Sequence, residues 1–161
     1  RVNGSFSGKW EVECPGITTE KDDVSTGNLY LTSNSSTSFS AVNTPTKVLC
    51  TTTGTGLFRV SSPASNRLRY DGIKTRRFSV MASLSVTAQS ANKNFSFYIY
   101  KNGVKLPESE QAMRLSTGVD KASITLSCTI QLATNDYIEI WAANTSDASS
   151  MTVETMNLTI K

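Results

Sequence analysis

Phe78-Ser79-Val80-Met81-Ala82-Ser83-Leu84-Ser85-Val86-Thr87 alternates apolar and small polar side chains. Ile124-Thr125-Leu126-Ser127-Cys128-Thr129-Ile130-Gln131-Leu132 repeats the pattern. Successive side chains on a strand point to opposite faces. Each stretch therefore reads as a half-buried strand with one core face and one small, polar face, as antiparallel sheets require.

Outward from these two, the chain offers more strands divided by turn residues. Short strands are expected at 28–32, 39–42, 47–51, 57–61 and 67–70, with Asn43-Thr44-Pro45 and Asp71-Gly72 as turns. Long strands follow at 77–89 and 95–101. Asn102-Gly103 then predicts a type I′ hairpin, because both central residues must take positive φ. A weaker strand is expected at 112–116, with 108–115 as the only helix candidate. Strands 123–132 and 137–144 are expected to pair across Thr134-Asn135-Asp136. In the last strand, 151–161, Met151 and Val153 share one parity while Met156, Leu158 and Ile160 share the other. That change of parity predicts a bulge at Glu154 or Thr155. About ten antiparallel strands with short turns make an all-β sandwich.

Residues 1–26 differ in character. Gly4, Gly8, Pro15 and Gly16 punctuate them, Trp10, Val12 and Cys14 alternate once, and the charged cluster Glu20-Lys21-Asp22-Asp23 follows. They read as a lead-in or linker to an upstream region, which either docks on the domain or joins a shaft. Residues 27–161 read as one head domain. The chain opens on Arg1, so a piece of a longer protein is expected.

The chain of 161 residues is 38% hydrophobic and only 18% charged, with 16 Lys and Arg against 13 Asp and Glu for a net charge of +3. No basic stripe with interleaved aromatics argues for nucleic acid, and no apolar run argues for membrane insertion. There is no histidine, which removes Ser-His-Asp and Cys-His catalysis and the commonest zinc ligand. Phosphate-cradling glycine motifs are missing too. An acid pair for glycoside hydrolysis can be drawn only from Glu108, Glu110, Asp120, Asp136 and Glu139. The Asp22-Asp23 cluster, Asp136 and Asp147 lack calcium-loop spacing. The three cysteines, Cys14, Cys50 and Cys128, are too few and too far apart for a disulfide framework. Cys128 is expected as a buried free thiol, and a Cys14–Cys50 bridge remains open. No enzyme, cofactor or metal is expected.

Parity leaves several aromatics on an outer face. Tyr137 and Trp141 oppose Ile138 and Ile140, and Tyr98 and Tyr100 oppose Phe97 and Ile99. Trp141, Tyr137 and Tyr98 are candidate ligand-facing aromatics, or anchors under a loop or a neighbouring chain.

The order of these elements resembles a C1q/TNF-like jelly roll over residues 28–161. The resembling landmarks are Tyr70-Asp71-Gly72 before a long strand, then Phe78-Ser79-Val80 with Ala82-Ser83-Leu84. Phe97-Tyr98-Ile99-Tyr100-Lys101-Asn102-Gly103 follows, and then Leu126 to Leu132 running into Asn135-Asp136-Tyr137-Ile138. The chain departs from animal members in having no collagen-like stalk and in closing on Met156-Asn157-Leu158-Thr159-Ile160-Lys161. Its low charge and Ser/Thr richness look more like the versions found as heads of trimeric fibres or spikes of phages and large DNA viruses.

The resemblance implies a homotrimer formed through one sheet. The small outward side chains fit this, with Met81, Ser83, Ser85, Ser127 and Thr129 as the candidate interface. It implies a structural or attachment head on the virion surface, whose partner is a host-surface glycan or protein or another virion protein. Candidate contact loops are 90–94, 106–111 and 145–149. The alternatives are a carbohydrate-binding β-sandwich module and a secreted C1q/TNF-like ligand.

Overall fold

The computed structural model describes residues 24–116 and 120–161. In chain order its strands are β1 (Thr26–Asn34), β2 (Ser36–Thr37), β3 (Thr46–Lys47), β4 (Cys50–Phe58), β5 (Val60–Ala64), β6 (Arg67–Tyr70), β7 (Arg76–Ala88), β8 (Lys93–Lys101), β9 (Val104–Lys105), β10 (Gln111–Leu115), β11 (Ala122–Leu132), β12 (Tyr137–Asn144) and β13 (Met151–Ile160). They form two sheets. The first runs β11-β7-β13-β1-β4, with β2 also on β13. The second runs β10-β8-β12-β6-β5, with β3 on β12 and β9 on β8. Every pairing is antiparallel.

The alternation that predicted the strands also builds the core. Leu29, Val80, Leu84, Leu126 and Leu158 point inward from the first sheet, and Phe95, Phe97, Ile99, Ile138 and Ile140 from the second. Each such side chain contributes about 1.5–3 kcal/mol when fully buried. The strands that carry the two sequences quoted at the outset pair from Leu132 opposite Arg76 to Ala122 opposite Val86.

The bulge lies where the parity change placed it, with the register of β13 on β7 shifting between Val153 and Thr155. The extra residue turns both apolar sets of β13 inward. It also leaves Glu154 free to accept hydrogen bonds from Thr87 Oγ1 at 3.0 Å and Asn34 Nδ2 at 3.4 Å. Asn102 and Gly103 take φ of 50° and 77°, as the type I′ hairpin demands, and join β8 to β9.

Expectations are corrected at four places. First, β11 and β12 do not pair. β11 lies on β7 in the first sheet, and β12 lies between β8 and β6 in the second. The Thr134-Asn135-Asp136 turn is a crossover between sheets. It is pinned by Tyr70, whose N–H donates to Asp136 O at 2.8 Å and whose carbonyl accepts from Asn135 N–H at 2.7 Å. Second, 57–61 is broken at Arg59, where φ is 53°, and the chain passes from β4 in one sheet to β5 in the other. Third, 47–51 is divided between β3 in the second sheet and β4 in the first, and 39–42 is a bend anchored by buried Phe39 rather than a strand. Fourth, the helix candidate is one 3-10 turn, Pro107–Ser109, running into β10. Ser109 draws it in, its Oγ accepting the Ile99 N–H at 2.8 Å.

Gly72 is required by a close approach. A Cβ there would run into the ring and hydroxyl of Tyr70, which is buried and donates its hydroxyl to Lys74 O at 2.7 Å. The Tyr70-Asp71-Gly72 landmark is thus an aromatic folded back onto its own turn.

Candidate interaction surface

The register aligns the outward side chains of the first sheet into rows. One row is Thr125–Ser83–Asn157–Tyr30–Thr53, and the next is Ser127–Met81–Thr159–Asn28–Thr55. Flanking them are Ser85 with Ser123 on one side and Ser79 with Thr129 on the other. Across these rows there is no Asp, Glu, Lys or Arg. Charge returns only at the margins, with Arg77 and Lys161 at one end and Lys121 and Glu154 at the other.

The polar groups on this face serve one another. The Thr159 hydroxyl lies 3.0 Å from both Asn28 Oδ1 and Asn157 Oδ1, and the Ser85 and Ser123 hydroxyls are 3.0 Å apart. Two apolar side chains stand above this floor: Met81 is 47% exposed and Tyr30 42%. Beside Met81 is a depression of about 270 Å³ lined by Ser79, Ser83, Thr125, Asn157 and Thr159, with Lys161 at its edge as the one charged residue. All five candidate interface residues, Met81, Ser83, Ser85, Ser127 and Thr129, lie on this one face. Tyr30, Asn28 and Asn157 belong with them. Parity alone did not reveal these three, because nothing in their own segments shows which strands flank β7.

The outer face of the second sheet is different. Glu139, 2% exposed by its side chain, accepts from Lys47 Nζ at 2.6 Å and Arg67 Nη2 at 2.7 Å on Oε1, and from Trp141 Nε1 at 3.1 Å on Oε2. The Arg67 guanidinium then lies 4.0 Å over the Tyr137 ring. Trp141 stacks on Tyr100 with centroids 4.3 Å apart, and Lys105 Nζ sits 3.9 Å over Tyr98. The expectation of open aromatics is corrected here. Tyr98 is only 3% exposed, and Tyr137 and Trp141 are half-buried with one ring face already occupied. Their parity is as read, but Lys105 covers Tyr98, Arg67 covers Tyr137 and the Tyr100 ring covers one face of Trp141.

Burial raises the Glu139 carboxyl pKa, but the hydrogen bonds from Lys47, Arg67 and Trp141 outweigh burial and hold it below the usual carboxylate range. Asp136 behaves alike: burial is opposed by Lys101, the Ala133 N–H and Asn102, with a lowered pKa as the result. Neither is the protonated acid that glycoside hydrolysis needs. Because their folded values lie below the unfolded ones, near about 4, their stabilisation is complete above that pH. It is lost as pH falls through the lowered values. The thermal midpoint is expected to hold steady down to about pH 5 and then drop, and Glu139→Gln is expected to flatten part of that drop. Circular dichroism melts from pH 8 to 3 check this; an unchanged midpoint at pH 3 contradicts it.

Cys50 and Cys128 are free thiols, Cys50 buried and Cys128 only half-buried rather than buried as expected, because its strand lies at the edge of the first sheet. Burial pushes both up to about 11. Alkylation by iodoacetamide at pH 7.5 is expected to be slow at both in the native protein and fast after denaturation, as quantified by peptide mapping. Rapid native labelling of either contradicts the raised values. Among the described residues no cluster of metal-ligating side chains occurs, and no helix is long and apolar enough to cross a membrane. Cys14, the Trp10-Val12-Cys14 alternation and the Glu20-Lys21-Asp22-Asp23 cluster lie outside the described residues.

The candidate loops separate. Segments 90–94 and 145–149 meet at one end, where Thr145 N–H donates to Asn94 O at 2.9 Å and Lys93 pairs with Asp147 at 2.6 Å. The buried Asn144 side chain organises the second of them, donating to Asp147 Oδ1 and Ser149 O and accepting from the N–H groups of Ser146 and Asp147. Segment 106–111 lies toward the opposite end of β8, with Leu106 N–H donating to Ile99 O at 3.0 Å.

Two sheets with these crossovers define a TNF-like jelly-roll β-sandwich. The fold is similar to the crystal structure of murine APRIL at pH 5.0, with a TM-score of 0.57 and 12% identity over 84% of this chain and 98% of that one. It is also similar to Eiger TNF from S. frugiperda, with a TM-score of 0.52 and 10% identity over 84% of this chain and 90% of that one. No family model matches the sequence, and no curated protein does.

Proposed function

We propose that this domain is a non-enzymatic head that assembles as a homotrimer through the outward face of its first sheet. In a longer protein it serves attachment, as the head of a virion fibre, spike or decoration protein does. The observation that carries the reading is the uncharged face around Met81. Solvated sheet faces ordinarily carry Lys and Glu, which keep them from associating. Small hydroxyl side chains instead let a second sheet or edge approach closely, and Met81 and Tyr30 supply apolar contact.

The second sheet supports the same division of labour, since its aromatics are satisfied within the protomer. The virion setting is supported by the low charge and Ser/Thr richness of the chain. Attachment falls to segments 90–94 and 145–149. They lie opposite the end where β1 begins and β13 finishes, because Gly27 faces Ile160 and Met151 faces Ala88. Threefold presentation would multiply a weak affinity for a host-surface glycan or protein.

A secreted TNF-like ligand is the second reading, favoured by the likeness to murine APRIL and Eiger TNF. It shares the trimer and differs in its partner, a protein receptor rather than a surface glycan. Glycan-array binding by the purified protein separates the two. Glycan binding that disappears in Ala91→Arg with Ser146→Arg, at unchanged oligomer mass, supports the attachment head. An array without signal favours the ligand.

A further inference from the structure

Charge is unevenly placed on this fold. The end where β1 begins and β13 finishes holds Arg59, Arg69, Lys74, Arg76, Arg77, Lys101 and Lys161 against only Asp71 and Asp136. Both acids are already engaged, Asp71 with Arg69 at 2.7 Å and Asp136 with Lys101 at 2.9 Å. The remaining described surface is balanced: Lys47, Arg67, Lys93, Lys105, Arg114 and Lys121 stand against Glu108, Glu110, Asp120, Glu139, Asp147 and Glu154. The positive surplus of the described fold therefore sits at one end, where like charges repel across short loops.

The sequence upstream of Val24 has the opposite sign. It holds Glu11, Glu13, Glu20, Asp22 and Asp23 against Arg1, Lys9 and Lys21. Its acidic cluster stands immediately before Val24, and Val24 leads into Thr26, which pairs with Phe58 at the basic end. A residue spans at most about 3.6 Å, so the backbone of Glu20 lies within roughly 14 Å of Val24. Connectivity thus keeps these carboxylates within reach of the end that carries the positive surplus, at a high effective concentration.

We propose that the basic end is a docking surface for this chain's own acidic lead-in, Glu20 to Asp23, which neutralises it. Opposite sign, adjacency in the chain and the prior engagement of Asp71 and Asp136 all select that occupant over an external polyanion. The surface adjoins the Met81 face at Arg77 and Lys161, so the oligomer is followed separately in the test.

Charge reversal in the full chain tests it. Asp22→Lys with Asp23→Lys is expected to lower the thermal midpoint by roughly 4 °C at 20 mM salt. The loss should be about halved in the Asn versions and mostly gone at 0.5 M salt, where the Debye length is short. Adding Lys74→Glu with Arg77→Glu should restore the midpoint at low salt. The proposal is overturned if the lead-in reversal changes nothing, if its effect is the same at both salts, or if the two reversals simply add. It is also overturned if the unaltered chain is held on immobilised heparin through Lys74 and Arg77 whatever the lead-in sequence; the end would then belong to an external polyanion. Light scattering on every variant reports the oligomer separately, so loss of the trimer reading is not mistaken for loss of this one.

Discussion

Met81→Lys leaves the domain folded and makes it a monomer. In the protomer the Met81 side chain points away from the core, between Ser127 and Thr159, and is 47% exposed. Lysine there is solvated in the monomer and costs the fold little. In a trimer built on this face, an ammonium group at the centre of an uncharged contact loses its water and finds no carboxylate within the rows. The effective penalty of burying such an unpaired charge is several kcal/mol. At about 1.4 kcal/mol per tenfold, the association constant falls by a factor on the order of a thousand or more. Val104→Lys is the control: Val104 is 67% exposed on β9 of the other sheet, and that variant keeps the wild-type mass. A trimeric Met81→Lys variant contradicts the placement of the interface.

Asn66→Ala carries the largest expected cost to stability. Asn66 is fully buried with φ of 52°. Its Nδ2 donates to Val48 O at 3.0 Å and Ile140 O at 2.8 Å, and its Oδ1 accepts the Ile140 N–H at 3.0 Å. The side chain stands in for a missing strand, closing the gap between the β3–β4 connection and β12. Alanine leaves the Ile140 N–H without that acceptor and places a Cβ residue in the left-handed region without the local bonding that asparagine has there. The loss is about 3 kcal/mol, or roughly 10 °C in midpoint for a domain of this size. Asn66→Gly tolerates the φ and isolates the hydrogen bonds, so it falls between wild type and alanine. Equal midpoints for all three proteins contradict this account.

The alternating residues show how far the sequence could be read. For β7 and β11, period two told which side chains face the core; on β12 it named the core face but not the burial of Glu139 and Ala143 on the other parity. In β13 it located the bulge at Glu154, and Asn102-Gly103 announced its turn. Alternation says nothing about which strand lies alongside. The segments 123–132 and 137–144 would satisfy each other's pattern as a hairpin just as well as they satisfy β7 and β8, and only packing of the whole sandwich assigns them to different sheets. The break at Arg59 was hidden because arginine carries no signal for positive φ. Asn66 was hidden because its role depends on Val48 and Ile140, distant in the chain.

The candidate surface was legible to the same degree. Met81, Ser83, Ser85, Ser127 and Thr129 share a face because β7 and β11 were both recognised. Tyr30 and Asn157 joined them only once β13 and β1 were seen to continue that sheet. The aromatics on the second sheet were assigned to the correct face. Their covering by Lys105 and Arg67 depends on side chains of neighbouring strands, which parity does not describe.

Light scattering behind a sizing column at low micromolar concentration tests the central claim most directly. The account predicts a mass three times 17.5 kDa for the wild type and 17.5 kDa for Met81→Lys. A wild-type mass of 17.5 kDa would contradict it, leaving a TNF-like sandwich whose uncharged face has some other occupant.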